Sequence, residues 1–182
     1  MPYRSWSQSR ARPRTYVGQF LRAMLLRQKE LRGELQRKLN NGKPGWNDDE
    51  PAVVELVFQR ILLLFLGEGY DAHDIAEFLD FVELAAAGDP PVDRSLAEGL
   101  IREAMRKPGA DGKNASPQRK FVLRGLMTGL ASLHLELDEG VVDEIIVDSE
   151  RLAFERGWKP PLIWDKKRAA RRVTKLGPWP DT

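Results

Sequence analysis

The segment 53–66 constrains the fold most. Val53, Val54, Leu56, Val57, Phe58 and the run Ile61, Leu62, Leu63, Leu64, Phe65 and Leu66 leave almost no polar side. A helix that is apolar nearly all round needs other elements packed about it. A bilayer span is excluded: the longest charge-free apolar run here is 61–66, because Glu55 and Arg60 interrupt what precedes it, whereas a hydrocarbon core of about 30 Å takes roughly 20 residues. The expectation is a central helix surrounded by further helices.

The rest of the chain supplies that cover. Across 16–39, Val17, Phe20, Leu21, Met24, Leu31 and Leu35 recur at spacings of three, four and seven, which reads as one amphipathic helix with a basic exposed side carrying Arg22, Lys29 and Arg32. An Asn/Gly/Pro stretch, 40–47, then reads as a linker. Asp48 or Asp49 caps the central helix, Pro51 sits in its first turn and Gly67 ends it. Asp71 and Asp74 start a third helix with Ile75, Phe78, Leu79 and Val82 inward and a stop at Gly88, and a short fourth helix, 94–105, turns Leu96, Leu100 and Ile101 inward. After a turn-rich loop, 107–116, Ser116 and Pro117 open a long helix with Phe121, Leu126, Met127, Leu130, Leu133 and Leu137. The last helix, 139–156, carries Val142, Ile145, Ile146, Leu152 and Phe154 before Gly157. No alternating strand pattern and no repeat is present. The predicted fold is all-α, about six helices in one bundle-like domain. A basic arm (1–15), a basic amphipathic helix with linker (16–43), a helical core (44–165) and a basic tail (166–182) make up its organisation.

Charge divides along the same lines. The 182 residues sum to only +2, yet 1–43 carries a net +9, 44–105 a net −11 and 106–182 a net +4. With no cysteine there is no disulfide, thiolate ligand or cysteine nucleophile, which fits a reducing, cytoplasmic setting. Arg22 falls inside the only apolar stretch near the N-terminus, 17–26, so a secretory signal is not expected; the absence of acid before Glu30, with Ser5, Ser7 and Ser9, is also a transit-peptide composition.

Chemistry-bearing constellations are few. The loop Gly109-Ala110-Asp111-Gly112-Lys113 lacks the glycine spacing and following hydroxyl of a phosphate loop. His73 and Glu77 share a helix face, but a tetrahedral metal site needs further donors and the other histidine, His134, lies in a different helix between apolar neighbours, where a buried or half-buried structural role is expected. Asp143 and Glu144, adjacent on a helix, point apart and so do not form an acid/base pair. The expectation is a non-enzymatic protein without metal or cofactor. Residues 69–76, Gly-Tyr-Asp-Ala-His-Asp-Ile-Ala, resemble the start of a helix-turn-helix, but the candidate recognition helix 94–105 carries Glu98 and Glu103 within the acidic segment, and phosphates require Lys or Arg.

The basic ends are the stronger candidates for contact with a partner. Arg4, Arg10, Arg12 and Arg14 lie in the arm with Tyr3 and Trp6 between them, Arg22 and Lys29 on the first helix, and Lys166, Lys167, Arg168, Arg171 and Arg172 in the tail. Such segments neutralise a nucleic-acid backbone without reading sequence. Two alternatives stand beside this reading: solvated tails, or docking on the acidic segment 44–105 of the same or a neighbouring molecule.

One stretch carries a resemblance. Residues 156–165, Arg-Gly-Trp-Lys-Pro-Pro-Leu-Ile-Trp-Asp, resemble a segment of small actinobacterial and actinophage helix-turn-helix DNA-binding proteins, in which a helix ends in Arg-Gly-Trp before x-Pro-Pro-x-x-Trp-Asp. The resemblance implies an actinobacterial or phage origin and an accessory, regulatory setting. Physically, Gly157 ends the helix, the prolines extend the chain, and Trp158 and Trp164 are expected to fold back as a clip on the last two helices. Together these readings favour a regulatory protein that binds nucleic acid with little sequence specificity. The alternative is a protein-interaction adaptor or homo-oligomer using its acidic middle.

Overall fold

A computed structural model describes residues 11–40, 50–87, 91–106, 115–160 and 162–163 of the chain. Among the described residues there are seven helices: α1 (Tyr16–Leu25), α2 (Lys29–Asn40), α3 (Glu50–Leu66), α4 (Ala72–Ala85), α5 (Arg94–Ala104), α6 (Pro117–His134) and α7 (Glu139–Glu155). The only strand-like pairing among those residues is an isolated bridge between Thr15 and Leu162. The fold is all-α. Apart from 11–15, the expected arm and tail lie outside the described residues.

α3 is the centre, packed against α1, α4, α5, α6 and α7. Val53, Val54, Leu56, Val57, Phe58, Ile61 and Leu62 are all buried. Its last turn emerges from the cover, since Leu63 and Leu64 are 43% and 47% exposed. α6 runs parallel to α3, with Arg124 near Glu55 at one end and the His134 ring 5.1 Å from Phe65 at the other. His134 is exposed rather than buried, its ring lying along the edges of Phe65 and Phe81. α7 runs antiparallel to α1: Glu150 meets Thr15 and Asp143 meets Arg22.

Two expectations about the N-terminal helix are corrected. First, it is two helices, and this makes seven instead of about six. At the break the amide of Arg27 donates to the Met24 carbonyl and that of Gln28 to the Ala23 carbonyl, while Arg27 takes a left-handed φ of 57°. This is a Schellman ending with arginine where glycine is usual. Second, α1 is not outside the core: Val17, Leu21 and Leu25 join the same buried cluster as α3 and α7. α2 rests on α1 through Leu35, which packs on Phe20 and Ala23, and Phe20 in turn stacks on Phe121 of α6 with ring centroids 6.2 Å apart.

The helix starts follow the sequence closely. Asp71 and Asp74 form a reciprocal capping box on α4, and Asp93, Ser116 and Asp138 each accept from a first-turn amide of α5, α6 and α7. α4 stops at Ala85 with Ala87 left-handed at φ 55°, ahead of Gly88, which lies outside the described residues.

The left-handed Arg27 provides a test. A non-glycine residue in that region costs about 1–2 kcal/mol, part of which glycine returns through its freer unfolded chain. Arg27→Gly is expected to stabilise by about 0.5–1 kcal/mol and raise Tm by roughly 1–4 °C in a thermal melt. A lowered Tm would mean that the arginine side chain holds the turn.

Candidate nucleic-acid interface

The predicted contact residues separate clearly. Arg12 and Lys29 are exposed, Arg14 is half-buried, and Arg4, Arg10, Lys166, Lys167, Arg168, Arg171 and Arg172 lie outside the described residues. Arg22 does not belong with them. It is 6% exposed, its Nε donates to Asp143, and its guanidinium also pairs with Glu139, so α7 takes the charge that phosphate would need. The hydrogen bond it donates to Asp143 is the main reason its pKa is raised further. Arg32, expected on the basic exposed side, is exposed on α2, and two cations that sequence reasoning did not single out join it: Arg27 in the turn before α2 and Arg37 on α2. Treating 16–39 as one helix hid them, because the rotation assigned to the second half was that of an unbroken helix.

Pairing distinguishes these cations from most of the others, Arg106 and Arg156 being exposed and also without a carboxylate partner among the described residues. In the body of the fold Arg60 meets Asp148, Arg94 meets Asp80 and Glu83, Arg102 meets Glu98, Arg119 meets Asp93, and Arg151 meets Asp148. Buried Arg124 lies 3.1 Å from Glu103 and 3.6 Å from Glu55. Arg12, Arg27, Lys29, Arg32 and Arg37, by contrast, have no carboxylate partner among the described residues; Arg37 donates only to the Gly33 carbonyl. The α4–α5 pair offers little to phosphate, since both arginines of α5 are held by carboxylates.

Just before α1, residues 13–15 meet residues 162–163. Residues 13–15, read from sequence as part of a flexible arm, are fixed in the folded body. Gln19 donates to the Pro13 carbonyl at 2.6 Å, Ile163 N–H donates to the Arg14 carbonyl at 2.8 Å, and Gln19 N–H donates to the Thr15 carbonyl at 3.0 Å. The amides of Arg14 and Thr15 point at the carboxylate of Glu150, which is fully buried in α7. Oε1 accepts from Arg14 N–H at 3.0 Å, Thr15 N–H at 2.8 Å and the Thr15 hydroxyl at 2.7 Å; Oε2 accepts from Arg14 N–H at 2.9 Å. The same hydroxyl accepts from Gly18 N–H at 2.8 Å and so caps α1. An acid at a helix N-terminus meets orphan amides and the positive end of the helix dipole. Burial nevertheless dominates, pushing the Glu150 pKa up to about 7 against the lowering effect of these donors.

The C-terminal segment also takes a different path from the expected clip. Pro160 is buried and Leu162 bridges Thr15, so the chain turns back to the start of α1. Trp158, 43% exposed, borders a cleft of about 250 Å³ with Pro51, Ala52 and Glu55 of α3 and Arg106 after α5. It therefore lies toward the start of α3 and not across α6. Trp164 lies outside the described residues. His73 and Glu77 are an exposed pair 3.3 Å apart, and among the described residues no three metal-type donors converge.

The chain matches no family model, no curated protein and no solved structure.

Two outcomes follow from the Glu150 socket. A Cβ on Gly18 would stand 2.0 Å from Glu150 Oε1 and 2.9 Å from Thr15 Oγ1. Alanine normally improves a helix interior by about 0.5–1 kcal/mol over glycine, but overpacking here costs about 1–3 kcal/mol. Gly18→Ala is thus expected to lower Tm, whereas Gly33→Ala, with nothing within 4 Å of its Cβ, raises or preserves it. Equal gains in both variants would show that Glu150 is not packed against α1.

The second outcome concerns pH. With a folded pKa raised to about 7 from the ordinary value of 4.5, Glu150 keeps a proton in the native state that the unfolded chain releases. Its contribution is full below pH 4.5 and is lost as pH rises through 7. Glu150→Gln turns an amide donor toward backbone donors, at a cost of about 1–3 kcal/mol. That penalty is expected to be largest near pH 5 and to shrink toward pH 8 in urea unfolding. A pH-independent penalty would mean that Glu150 is ionised throughout.

Proposed function

We propose that this is a non-enzymatic accessory protein, acting in a cytoplasmic regulatory setting, that binds nucleic acid through its basic arm, α2 and basic tail with little sequence specificity. The observation that carries the reading is the sorting of cations: arginines on α3, α5, α6 and α7 are neutralised within the fold, while Arg12, Arg27, Lys29, Arg32 and Arg37 stand exposed without carboxylate partners among the described residues. Unpaired cations on one continuous stretch of chain give charge attraction without a base-reading element, so the expected mode is backbone contact. The resemblance of 156–165 to actinobacterial and actinophage DNA-binding proteins supports the regulatory setting.

A second reading draws on α4. Glu77, Asp80 and Leu84 lie exposed at helical spacing, Leu84 at 83%, and form an acidic face with an apolar end. Such a face suits a basic protein surface, including α2 of another copy, and defines an adaptor or homo-oligomer.

Titration of a labelled DNA duplex at several salt concentrations separates the two. Nucleic-acid binding predicts that log K falls linearly with log salt, by about 0.9 per neutralised phosphate. Replacing Arg27, Lys29 and Arg32 by Gln is expected to lower that slope by up to about 3, and removing 1–10 with 166–182 to abolish binding while 13–15 keep the fold intact. Absence of binding to DNA or RNA at low salt sinks the reading. If the chain then self-associates in sedimentation, the second reading takes its place.

A further inference from the structure

Helix α6 is apolar on two sides. Leu123, Met127 and Ala131 face the core and are buried. On the opposite side Val122, Leu126, Gly129 and Leu133 follow one another at spacings of four, three and four, which is the seam spacing of helices that pair. This stripe lies toward solvent: Val122 is 67% and Leu133 48% exposed, with Leu126 and Gly129 half-buried between them. A surface helix ordinarily turns polar side chains outward. Between Val122 and Leu133 the outward side of α6 carries no charge, since Arg124 is buried and no acid occurs from 117 to 135. A continuous apolar patch of this kind marks a contact surface.

Gly129 is a second, independent observation. Glycine inside a helix is destabilising relative to alanine, and a Cβ on Gly129 would meet nothing within 4 Å among the described residues, unlike one on Gly18, which Glu150 excludes. Packing inside the chain thus gives no reason for a glycine in the middle of the stripe. A second helix crossing there gives one, because a missing side chain lets two backbones approach.

Charge identifies the occupant. Arg119 stands at one end of the stripe and Glu136 at the other, both exposed. Glu136 has no cationic partner among the described residues, and Arg119 bonds Asp93 through Nη2, which leaves guanidinium donors for a second carboxylate. When α6 is laid antiparallel on a copy of itself, with the two-fold axis passing between residues 127 and 128, Val122 comes opposite Leu133, Leu126 opposite Gly129, and Arg119 opposite Glu136. One register satisfies all three pairs, and such self-complementarity is what a two-fold interface requires. Beside Leu133 a cleft of about 370 Å³ walled by Leu25, Leu26 and Leu137 gives Val122 of the second copy an apolar seat.

We propose that two copies of this chain pair through α6 in antiparallel sense, with Val122, Leu126, Gly129 and Leu133 as the seam and Arg119 and Glu136 closing its ends. The pairing does not depend on the nucleic-acid reading, and it uses a face other than the acidic one of α4.

Sedimentation of the full chain without nucleic acid, from micromolar to sub-millimolar concentration, is expected to show a monomer–dimer equilibrium. Val122→Glu places its new charge in solvent in the single chain, so helix content by circular dichroism stays unchanged, while dimerisation weakens at least about tenfold. Charge reversal reads the register. Arg119→Glu or Glu136→Arg alone sets like charges opposite one another and is expected to weaken pairing about tenfold; the chain carrying both changes, or an equimolar mixture of the two single variants, returns to within about threefold of wild type. A chain that is monomeric throughout overturns the proposal, and so does a dimer that Val122→Glu leaves unchanged. A dimer lost in Glu77→Lys but kept in Val122→Glu assigns self-association to α4 instead. Loss in both single charge variants without rescue in the double variant or the mixture overturns the antiparallel register.

Discussion

A carboxylate without access to water is an expensive group unless donors surround it, and Glu150 has them. Its oxygens take up the amides of Arg14 and Thr15 and the Thr15 hydroxyl, and these belong to the residues that start α1. Two turns further along, Arg22 and Asp143 repeat the arrangement, with the donor on α1 and the acid on α7. The two contacts are seven residues apart on each helix, 15 to 22 and 150 to 143, so together they fix one antiparallel register. Val17, Leu21, Val142 and Ile146 supply the burial between them. Apolar packing alone tolerates sliding by a turn; a slid helix here would leave Glu150 and Asp143 buried without partners. Gly18 is part of the same constraint, since only a residue lacking Cβ admits the Glu150 carboxylate so near the backbone.

What the sequence revealed and what it concealed have physical causes. The all-round apolar segment 53–66 announced a central helix, and Asp71, Asp93, Ser116 and Asp138 announced helix starts, because both features act through neighbouring residues. The break after Leu25 was concealed. Its left-handed position holds Arg27, and without a glycine the apolar spacing from Met24 to Leu31 reads as continuous. Glu136 ends α6 in the same way, at φ 50°. Glu150 was concealed for another reason: its partners are 135 and 136 residues away, and no local pattern marks a helical glutamate as buried. Arg22 was misread through the same distance effect, since its place in a basic block suggested solvent while its partners lie on α7.

The charge pattern has a corresponding explanation. The acidic segment 44–105 does not present its whole −11 to solvent, because arginines of α6 reach into it: Arg119 to Asp93, and Arg124 to Glu103 and Glu55. Arg119 and Arg124 are thereby engaged by that segment and Arg22 is drawn inward by α7, while Arg106 and Arg156 stay exposed. On 11–37, Arg12, Arg27, Lys29, Arg32 and Arg37 remain outward without a carboxylate partner among the described residues. The partition seen along the sequence is thus sharpened in space. The candidate interface consequently depends on tertiary pairing: it is defined by which cations the fold leaves over.

The start of α1 depends on tertiary pairing in the same way. Contacts spanning 136 residues, such as Arg14 to Glu150, carry the loop-closure entropy of nearly the whole chain and persist only while the intervening bundle is formed. The same holds for the bridge from Thr15 to Leu162. Local opening of α1 from α7 would release both at once, because Arg14 and Thr15 take part in each. Residues 14–15 and 162–163 are therefore neighbours in the native state alone. The socket at Glu150 is in this way the physical element that ties the start of α1 to α7 and, through Thr15, to the segment 162–163.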